Sequence, residues 1–197
     1  FVAFRPPSPP SPPFPLEEAG LDDPIDRDEP TAVAGTDEKF LVPVTYMNSS
    51  ADLKDFVGRH GGIVCTSSNA QGVLNWAFER AGKDGAVLFF PDQHLGRNTG
   101  NAMGISLDLM PTWTPGIGAM GELKGSRIIL WHGFCSVHKR FTPDQIVDFR
   151  SRHPDGIVVV HPECPIETVE ASDANGSTQY IRNFVGQQAS GSSIAIG

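Results

Sequence analysis

Short hydrophobic runs, each followed by a polar loop, recur along most of this chain. Five of these runs predict β-strands, at residues 40–46, 63–66, 86–90, 128–131 and 157–160. The run at residues 86–90 has no polar position, which is typical of a parallel strand covered on both faces. Capping residues and apolar spacing between the strands predict helices near residues 49–57, 69–80, 143–152, 165–171 and 179–185. Strands that alternate with helices predict a parallel sheet between two helical layers.

We therefore predict an α/β protein built of three-layer αβα units with short parallel sheets, one unit complete and one partial. Nine of the 17 prolines lie in the first 30 residues, so residues 1–35 are predicted to form a disordered, Pro-rich and acidic segment. Residues 36–140 are predicted to form a middle αβα domain, and residues 141–197 a partial third domain. The chain begins with Phe1 and ends in what resembles an unfinished strand, so we expect a fragment.

Charge and cysteine content narrow the class of function. The formal net charge is −8, and residues 1–39 carry nine acidic and three basic residues, so the chain lacks the basic face that nucleic-acid binding requires. Three cysteines, an odd number, argue against a disulfide framework. No apolar run has the length of a membrane span, and prolines occupy the place of a secretory signal. We expect a cytoplasmic protein with no membrane or nucleic-acid partner.

Polar residues follow the predicted strands directly, and these are the candidate site residues. They are Tyr46, Asn48, Ser67, Asp92, Arg97, Cys135, His138, His161, Glu163, Ser177 and Thr178. Because ligands collect at the carboxyl ends of parallel strands, we expect several of these side chains to converge. A thiol near imidazoles and a carboxylate indicates a metal or iron–sulfur centre.

The three cysteines have different sequence environments. Cys135 lies in a Gly-containing loop three residues before His138, which favours a metal-ligating thiolate over a buried apolar role. Cys65 falls within an apolar strand and is predicted to belong to the core. Cys164 is adjacent to Glu163, and packing is the favoured interpretation.

Two pairs of charged or titratable residues suggest different roles. His161 and Glu163 lie on an extended loop and suit general acid–base chemistry, and polar groups that only satisfy the backbone are the alternative. Asp92 and Arg97 are expected to form a structural turn or an ion pair.

Hydroxyl groups near helix starts are candidates for anion binding. Ser67 and the pair Ser177 and Thr178 precede or begin predicted helices, where hydroxyls and free N–H groups bind phosphate or carboxylate oxygens. Helix capping without a ligand is the alternative for each of them.

Six stretches of the chain resemble, in order, the motifs of the quinolinate synthase family, which are iron–sulfur enzymes of NAD biosynthesis. They are Val44-Thr45-Tyr46-Met47-Asn48-Ser49-Ser50-Ala51, Cys65-Thr66-Ser67-Ser68-Asn69-Ala70, Pro91-Asp92-Gln93-His94-Leu95-Gly96-Arg97, Trp131-His132-Gly133-Phe134-Cys135-Ser136-Val137-His138, His161-Pro162-Glu163-Cys164-Pro165 and Gly176-Ser177-Thr178. Such a set is specific, and the resemblance covers residues from about 35 to 197.

The resemblance implies condensation of iminoaspartate with dihydroxyacetone phosphate to quinolinate, with loss of phosphate and two waters. It also implies a [4Fe–4S] cluster held by three cysteines, one from each of three similar domains, with an open iron that acts as a Lewis acid. An aspartate oxidase or dehydrogenase would supply the iminoaspartate.

The family's functional residues carry over by position. Cys135 would ligate the cluster, and His138 would support the cluster loop or a substrate oxygen. Glu163, as general base, His161 and Tyr46 would be catalytic. The substrate-binding residues would be Tyr46, Asn48, Ser67, His161, Glu163, Ser177 and Thr178. Cys65 and Cys164 do not fall on ligand positions of the family.

The chain departs from the family pattern at both ends. The family's first domain, with its cysteine ligand, should precede Phe40, where the Pro-rich segment stands, and the third cysteine ligand should follow Gly197. One ligand of three does not hold a cluster firmly. We therefore expect the 197-residue chain alone to be inactive.

Two further classes of function stay open. The first is a zinc-dependent hydrolase that uses Cys135, His138, His161 and Glu163, since these are ligand types that zinc accepts. The second is a non-catalytic interaction protein whose Pro-rich segment binds an SH3-like partner. Zinc content near one per chain would support the first, and binding that survives deletion of residues 36–197 would support the second.

Overall fold

The computed structural model describes residues 31–32, 40–114, 117, 123 and 125–197. The strands are β1 (Thr31–Ala32), β2 (Phe40–Tyr46), β3 (Ile63–Cys65), β4 (Ala86–Phe90), β5 (Thr112–Trp113), β6 (Ile128–Trp131), β7 (Ile157–Val160), β8 (Ala174–Asn175) and β9 (Ile194–Ile196). The α-helices are α1 (Ala51–Arg59), α2 (Ala70–Ala81), α3 (Gln93–Ala102), α4 (Pro143–Arg152), α5 (Ile166–Ala171) and α6 (Thr178–Gly186). Within the described ranges, short 3-10 helices lie at Leu107–Leu109 and His138–Arg140.

Six strands of the described part of the chain form the first sheet, in the order β1-β2-β4-β6-β5, with β3 also paired to β2. β1 pairs with the start of β2 and β3 with its end. Every pairing in this sheet is parallel except that of β1 with β2. All five residues of β4 are buried, as its uninterrupted apolar sequence predicts.

Helices cover both faces of the first sheet. On one face, Leu74 of α2 and Leu95 of α3 pack in a cluster with Phe89 of β4. On the other face, Phe56 of α1 packs in a second cluster with Phe90 of β4. Neighbouring side chains of one strand therefore enter different cores, which is the period-two alternation of a β-strand. This arrangement confirms the predicted three-layer unit.

A second, smaller sheet has the order β8-β7-β9, and all of its pairings are parallel. Ile146 of α4 packs in a cluster with Val158 and Val160 of β7, and Val169 of α5 packs against the same cluster. The predicted α/β class with two parallel sheets is confirmed. The division of the chain into domains at residue 140 stays a prediction.

Helix α3 differs from the prediction, since the sequence indicates only a turn at Asp92 and Arg97. Gly96 and Gly100 weaken the intrinsic helical signal. Packing explains why they are there. A Cβ atom at Gly96 would lie 2.6 Å from the Leu130 side chain, and one at Gly100 would lie 2.4 Å from Met110 Sδ. The two glycines let α3 lie close to the sheet, and tertiary contact outweighs propensity here.

Strand β1 is a second difference, because residues 31 and 32 fall inside the segment predicted to be disordered. Pairing with Phe40 and Leu41 gives these residues the backbone hydrogen bonds of an antiparallel ladder. The other residues of the predicted disordered segment, 1–30 and 33–35, lie outside the described residues. Among the helices of the described ranges, none combines the length and the apolar character needed to span a bilayer.

Candidate active site

Tyr46 connects the first sheet to the loop that follows β7. It ends β2, pairs in register with Cys65 of β3, and is buried. The Glu163 carboxylate and the Ser67 hydroxyl are side chains beside its phenol group that affect the pKa of Tyr46. Burial, followed by the negative charge of Glu163, raises the pKa of Tyr46 to about 12. The phenol therefore stays protonated at neutral pH beside the Glu163 carboxylate.

Glu163 is the centre of a buried group of titratable side chains. Its Oε2 atom lies 3.2 Å from His161 Nδ1 and 3.4 Å from His138 Nδ1. The two imidazole rings stack, with centroids 4.7 Å apart and an interplanar angle of 16°. Burial lowers the pKa of His138, and the neighbouring His161 lowers it further, against the opposing effect of Glu163. A neutral imidazole beside a carboxylate suits proton transfer at neutral pH.

Cys135 faces the same group from the loop after β6. The ligand atoms of Cys135, His138 and Glu163 all lie within 4.8 Å of one another. Cys135 is half-buried, whereas Cys65 and Cys164 are fully buried, and burial raises the pKa of each of these two thiols to about 12. Metal ligation needs an accessible thiolate. Cys135 fits that requirement, and the two buried cysteines belong to the core.

Asp92 supports the Cys135 loop. The sequence predicts a structural turn or an ion pair at Asp92 and does not predict this contact with the Cys135 loop. Its Oδ1 accepts from the backbone N–H of Leu95 at 2.8 Å and so caps α3. Its Oδ2 accepts from the backbone N–H of Cys135, also at 2.8 Å. Burial raises the pKa of the Asp92 carboxyl to about 6, although these two hydrogen bonds act in the opposite direction.

Asn98 supports the other loop and was missed by the sequence analysis. Its Nδ2 group donates to the backbone carbonyls of Pro162 and Cys164, both at 2.8 Å. The side chain is buried on α3. Asn98 is one of several polar residues in α3, and the sequence gives no signal of its contact, because its partners lie 64 and 66 positions further along the chain.

The remaining predicted residues have different local surroundings. Asn48 follows β2 and is exposed, and Ser67 precedes Asn69, the capping residue of α2. Ser177 accepts a hydrogen bond from the N–H of Tyr180 at 3.3 Å and caps α6, of which Thr178 is the first residue. The structure thus brings Tyr46, Ser67, Cys135, His138, His161 and Glu163 together. For Ser177 the structure shows the helix-capping hydrogen bond that was the alternative to anion binding.

The strand ends of this αβα chain thus carry a thiol, two imidazoles and a carboxylate, and three of these side chains could hold a metal ion. A family model described as "Quinolinate synthetase A protein" matches residues 18–197. The chain belongs to this family, so the resemblance seen in its six motifs is confirmed. The match also begins well before residue 35, where the resemblance in the sequence was expected to start.

Curated relatives agree with the family match. The chain is 57% identical to the quinolinate synthase of Corynebacterium glutamicum over 171 residues, which are 85% of this chain and 42% of the relative. It is 49% identical to the quinolinate synthase of Rhodopirellula baltica over 82% of this chain and 42% of that protein. The Bacillus subtilis quinolinate synthase is 49% identical over 80% of this chain and 43% of its own length. The chain thus spans about two fifths of the length of these relatives.

Proposed function

We propose that this chain carries a central part of the active site of a quinolinate synthase. The reaction joins iminoaspartate to dihydroxyacetone phosphate and releases quinolinate, one phosphate and two waters. The observation that supports it most directly is the convergence of Cys135, Glu163 and Tyr46 in a chain of this family. A thiol for a metal and a buried carboxylate for proton transfer are what a condensation with two dehydrations requires.

Cys135 would hold one iron of a [4Fe–4S] cluster, and the other two cysteine ligands would come from outside this chain. When bound, such a cluster supplies a Lewis acid at its open iron, which polarises a substrate oxygen. The donor set supports this assignment, because Cys135 is the accessible cysteine of the three.

Glu163 would act as the general base that removes protons from substrate carbon and nitrogen. Tyr46 would donate a hydrogen bond to the carboxylate and fix its orientation, and His161 would hold or return the proton from the other side. A buried site strengthens these interactions, because little water competes with them.

Hydroxyl and amide groups at strand ends and helix starts would bind the anionic parts of the substrates. These groups belong to Tyr46, Asn48, Ser67, Ser177 and Thr178. The substrates carry two carboxylates and a phosphate, and short polar side chains at strand ends and helix starts suit such oxygens. The imine would come from an aspartate oxidase or dehydrogenase. We place the reaction in the cytoplasm, where thiols stay reduced.

The test is quinolinate formation by the complete gene product that carries this chain. The protein is reconstituted with iron and sulfide without oxygen, then supplied with dihydroxyacetone phosphate and iminoaspartate generated in place by an aspartate oxidase. We expect quinolinate and one phosphate per turnover. Reconstituted protein that forms neither product would refute the proposal.

Metal content separates this function from the zinc alternative. Among the described residues, the group that could hold a single ion consists of Cys135, His138 and Glu163, and it does not include His161. Zinc near one per chain, no iron, and hydrolytic activity would favour the hydrolase. Iron and sulfide near four each would favour the synthase.

A further inference from the structure

We propose that helix α3 is the positioning element of this site. Asp92 at its start holds the Cys135 loop, and Asn98 in its second turn holds the Glu163 loop. Neither side chain needs to touch substrate for this role. The inference rests on the proposed function, since it assumes the roles proposed there for Cys135 and Glu163. It concerns how one helix fixes the distance between these two residues.

The contact at the start of α3 consists of two hydrogen bonds between neighbouring residues of α3 and the Cys135 loop. Asp92 Oδ2 accepts from Cys135 N–H, and the neighbouring Gln93 N–H donates to Gly133 O at 2.9 Å. A Cβ atom at Gly133 would lie 2.2 Å from Pro91 O, so only glycine allows this approach. The loop that carries the thiol is thereby tied to the first residues of α3 at two points.

The contact at Asn98 is equally specific. Its side-chain NH2 group donates one hydrogen bond to the carbonyl of Pro162 and one to that of Cys164, the residues on either side of Glu163. The amide has one orientation available, because its oxygen would repel both carbonyls. The backbone that carries the Glu163 side chain is therefore held on both sides by one buried donor group.

Packing makes α3 a rigid base for both contacts. Gly96 and Gly100 lie so close to Leu130 and Met110 that a side chain at either position would require these neighbours to shift. Asp92 and Asn98 are six residues apart, which corresponds to about 9 Å along a helix at 1.5 Å per residue. The two loops come from different sheets, and α3 contacts both, so its length sets the distance from thiol to carboxylate.

Asp92→Asn tests the first contact. Asparagine has the same shape, but only one of its terminal atoms accepts, so one of the two N–H groups now faces a donor. In the reconstituted complete gene product we expect iron release to a chelator several-fold faster than in wild type, and an altered electron paramagnetic resonance signal of the reduced cluster. Asp84→Asn, at an exposed position before β4, is the matched control and should match wild type.

Asn98→Asp tests the second contact, because a carboxylate offers no N–H to the two carbonyls. We expect kcat to fall at least about tenfold with KM within about twofold of wild type, and faster hydrogen exchange across residues 161–164. Asn101→Asp is the matched control, since Asn101 is exposed on the same helix. If Asn98→Asp fails to fold, Asn98→Ser, which keeps one donor, should show the same pattern more weakly.

The outcomes distinguish this inference from the proposed function. Wild-type protein that binds no cluster and forms no quinolinate refutes the proposed function. Active wild type together with unchanged iron release and spectrum in Asp92→Asn overturns the role of Asp92. Active wild type with unchanged kcat and exchange in the Asn98 variants overturns the role of Asn98.

Discussion

Two loops meet at the candidate site, and they are built in opposite ways. In the loop after β6, Phe134 is 43% exposed and Val137 is 57% exposed, and Cys135 between them is half-buried. In the loop after β7, His161 and Glu163 are each 5% exposed and Cys164 is fully buried. The thiol thus lies at an open edge, where a bulky cofactor has access. The carboxylate lies in a dry, fixed environment.

The difference matches what the proposed roles of Cys135 and Glu163 require. A cluster ligand requires room for the metal and for ligands from other parts of the protein. A proton-transferring carboxylate benefits from exclusion of water and from fixed partners, which here are His138 and His161. One loop therefore provides access and the other provides preorganisation.

The largest expected effect comes from the buried loop. Glu163→Gln keeps the shape of the side chain and removes the base, so we expect quinolinate formation to fall about 100- to 10,000-fold. Iron content should stay at the wild-type level, because Cys135 is intact. The rate and the visible absorption of the cluster are measured on the same sample. Glu170→Gln, at an exposed position of α5, is the control, and an equal loss in that variant would contradict a specific role for Glu163.

Thiol labelling compares the open and buried loops directly. In protein without metal, we expect Cys135 to react with iodoacetamide at pH 8 at least about 100-fold faster than Cys65 or Cys164. Burial limits access to these two thiols, and their pKa of about 12 leaves almost no thiolate. Peptide mass spectrometry over time gives the three rates. Similar rates at Cys135 and Cys164 would contradict the contrast between the loops.

The smallest effect concerns stability at high pH. The pKa of Cys65 is raised from 9.0 to about 12 by burial, so the folded state binds its proton more tightly than the unfolded chain does. Stability should therefore decline as pH rises from about 9 to 12, by an amount on the order of a few kcal/mol. Cys65→Ala should make this part of the curve less steep, as measured by urea unfolding, and Cys164, whose pKa burial also raises to about 12, should account for a remaining part of the decline. A decline of unchanged steepness in Cys65→Ala would show that other groups cause it.

The sequence predicts the sheet strands well because their apolar runs carry the signal locally. The burial of β4, and the difference between buried Cys65 and partly exposed Cys135, follow from the apolar or polar character of neighbouring residues. The convergence of Tyr46 and Glu163 was expected from the rule that strand ends share one edge. That rule names the participants and does not give their contacts.

Helix α3 and Asn98 show why the rest could not be predicted. Gly96 and Gly100 reduce the helical signal, and the reason for them lies in Leu130 and Met110, which are distant in sequence. The buried Asn98 side chain donates hydrogen bonds to carbonyl groups more than 60 residues away in the sequence. Information of this kind appears only once the chain is folded. The roles of the site residues stay predictions that the experiments above address.

The central claim is that Cys135 is the cysteine of this chain that binds the cluster. Iron and sulfide are measured in the reconstituted complete gene product for Cys135→Ser and for Cys65→Ala, side by side. We predict that Cys135→Ser loses most of its iron and sulfide and forms no quinolinate, whereas Cys65→Ala keeps wild-type levels of both. Full iron and sulfide in Cys135→Ser would contradict the account.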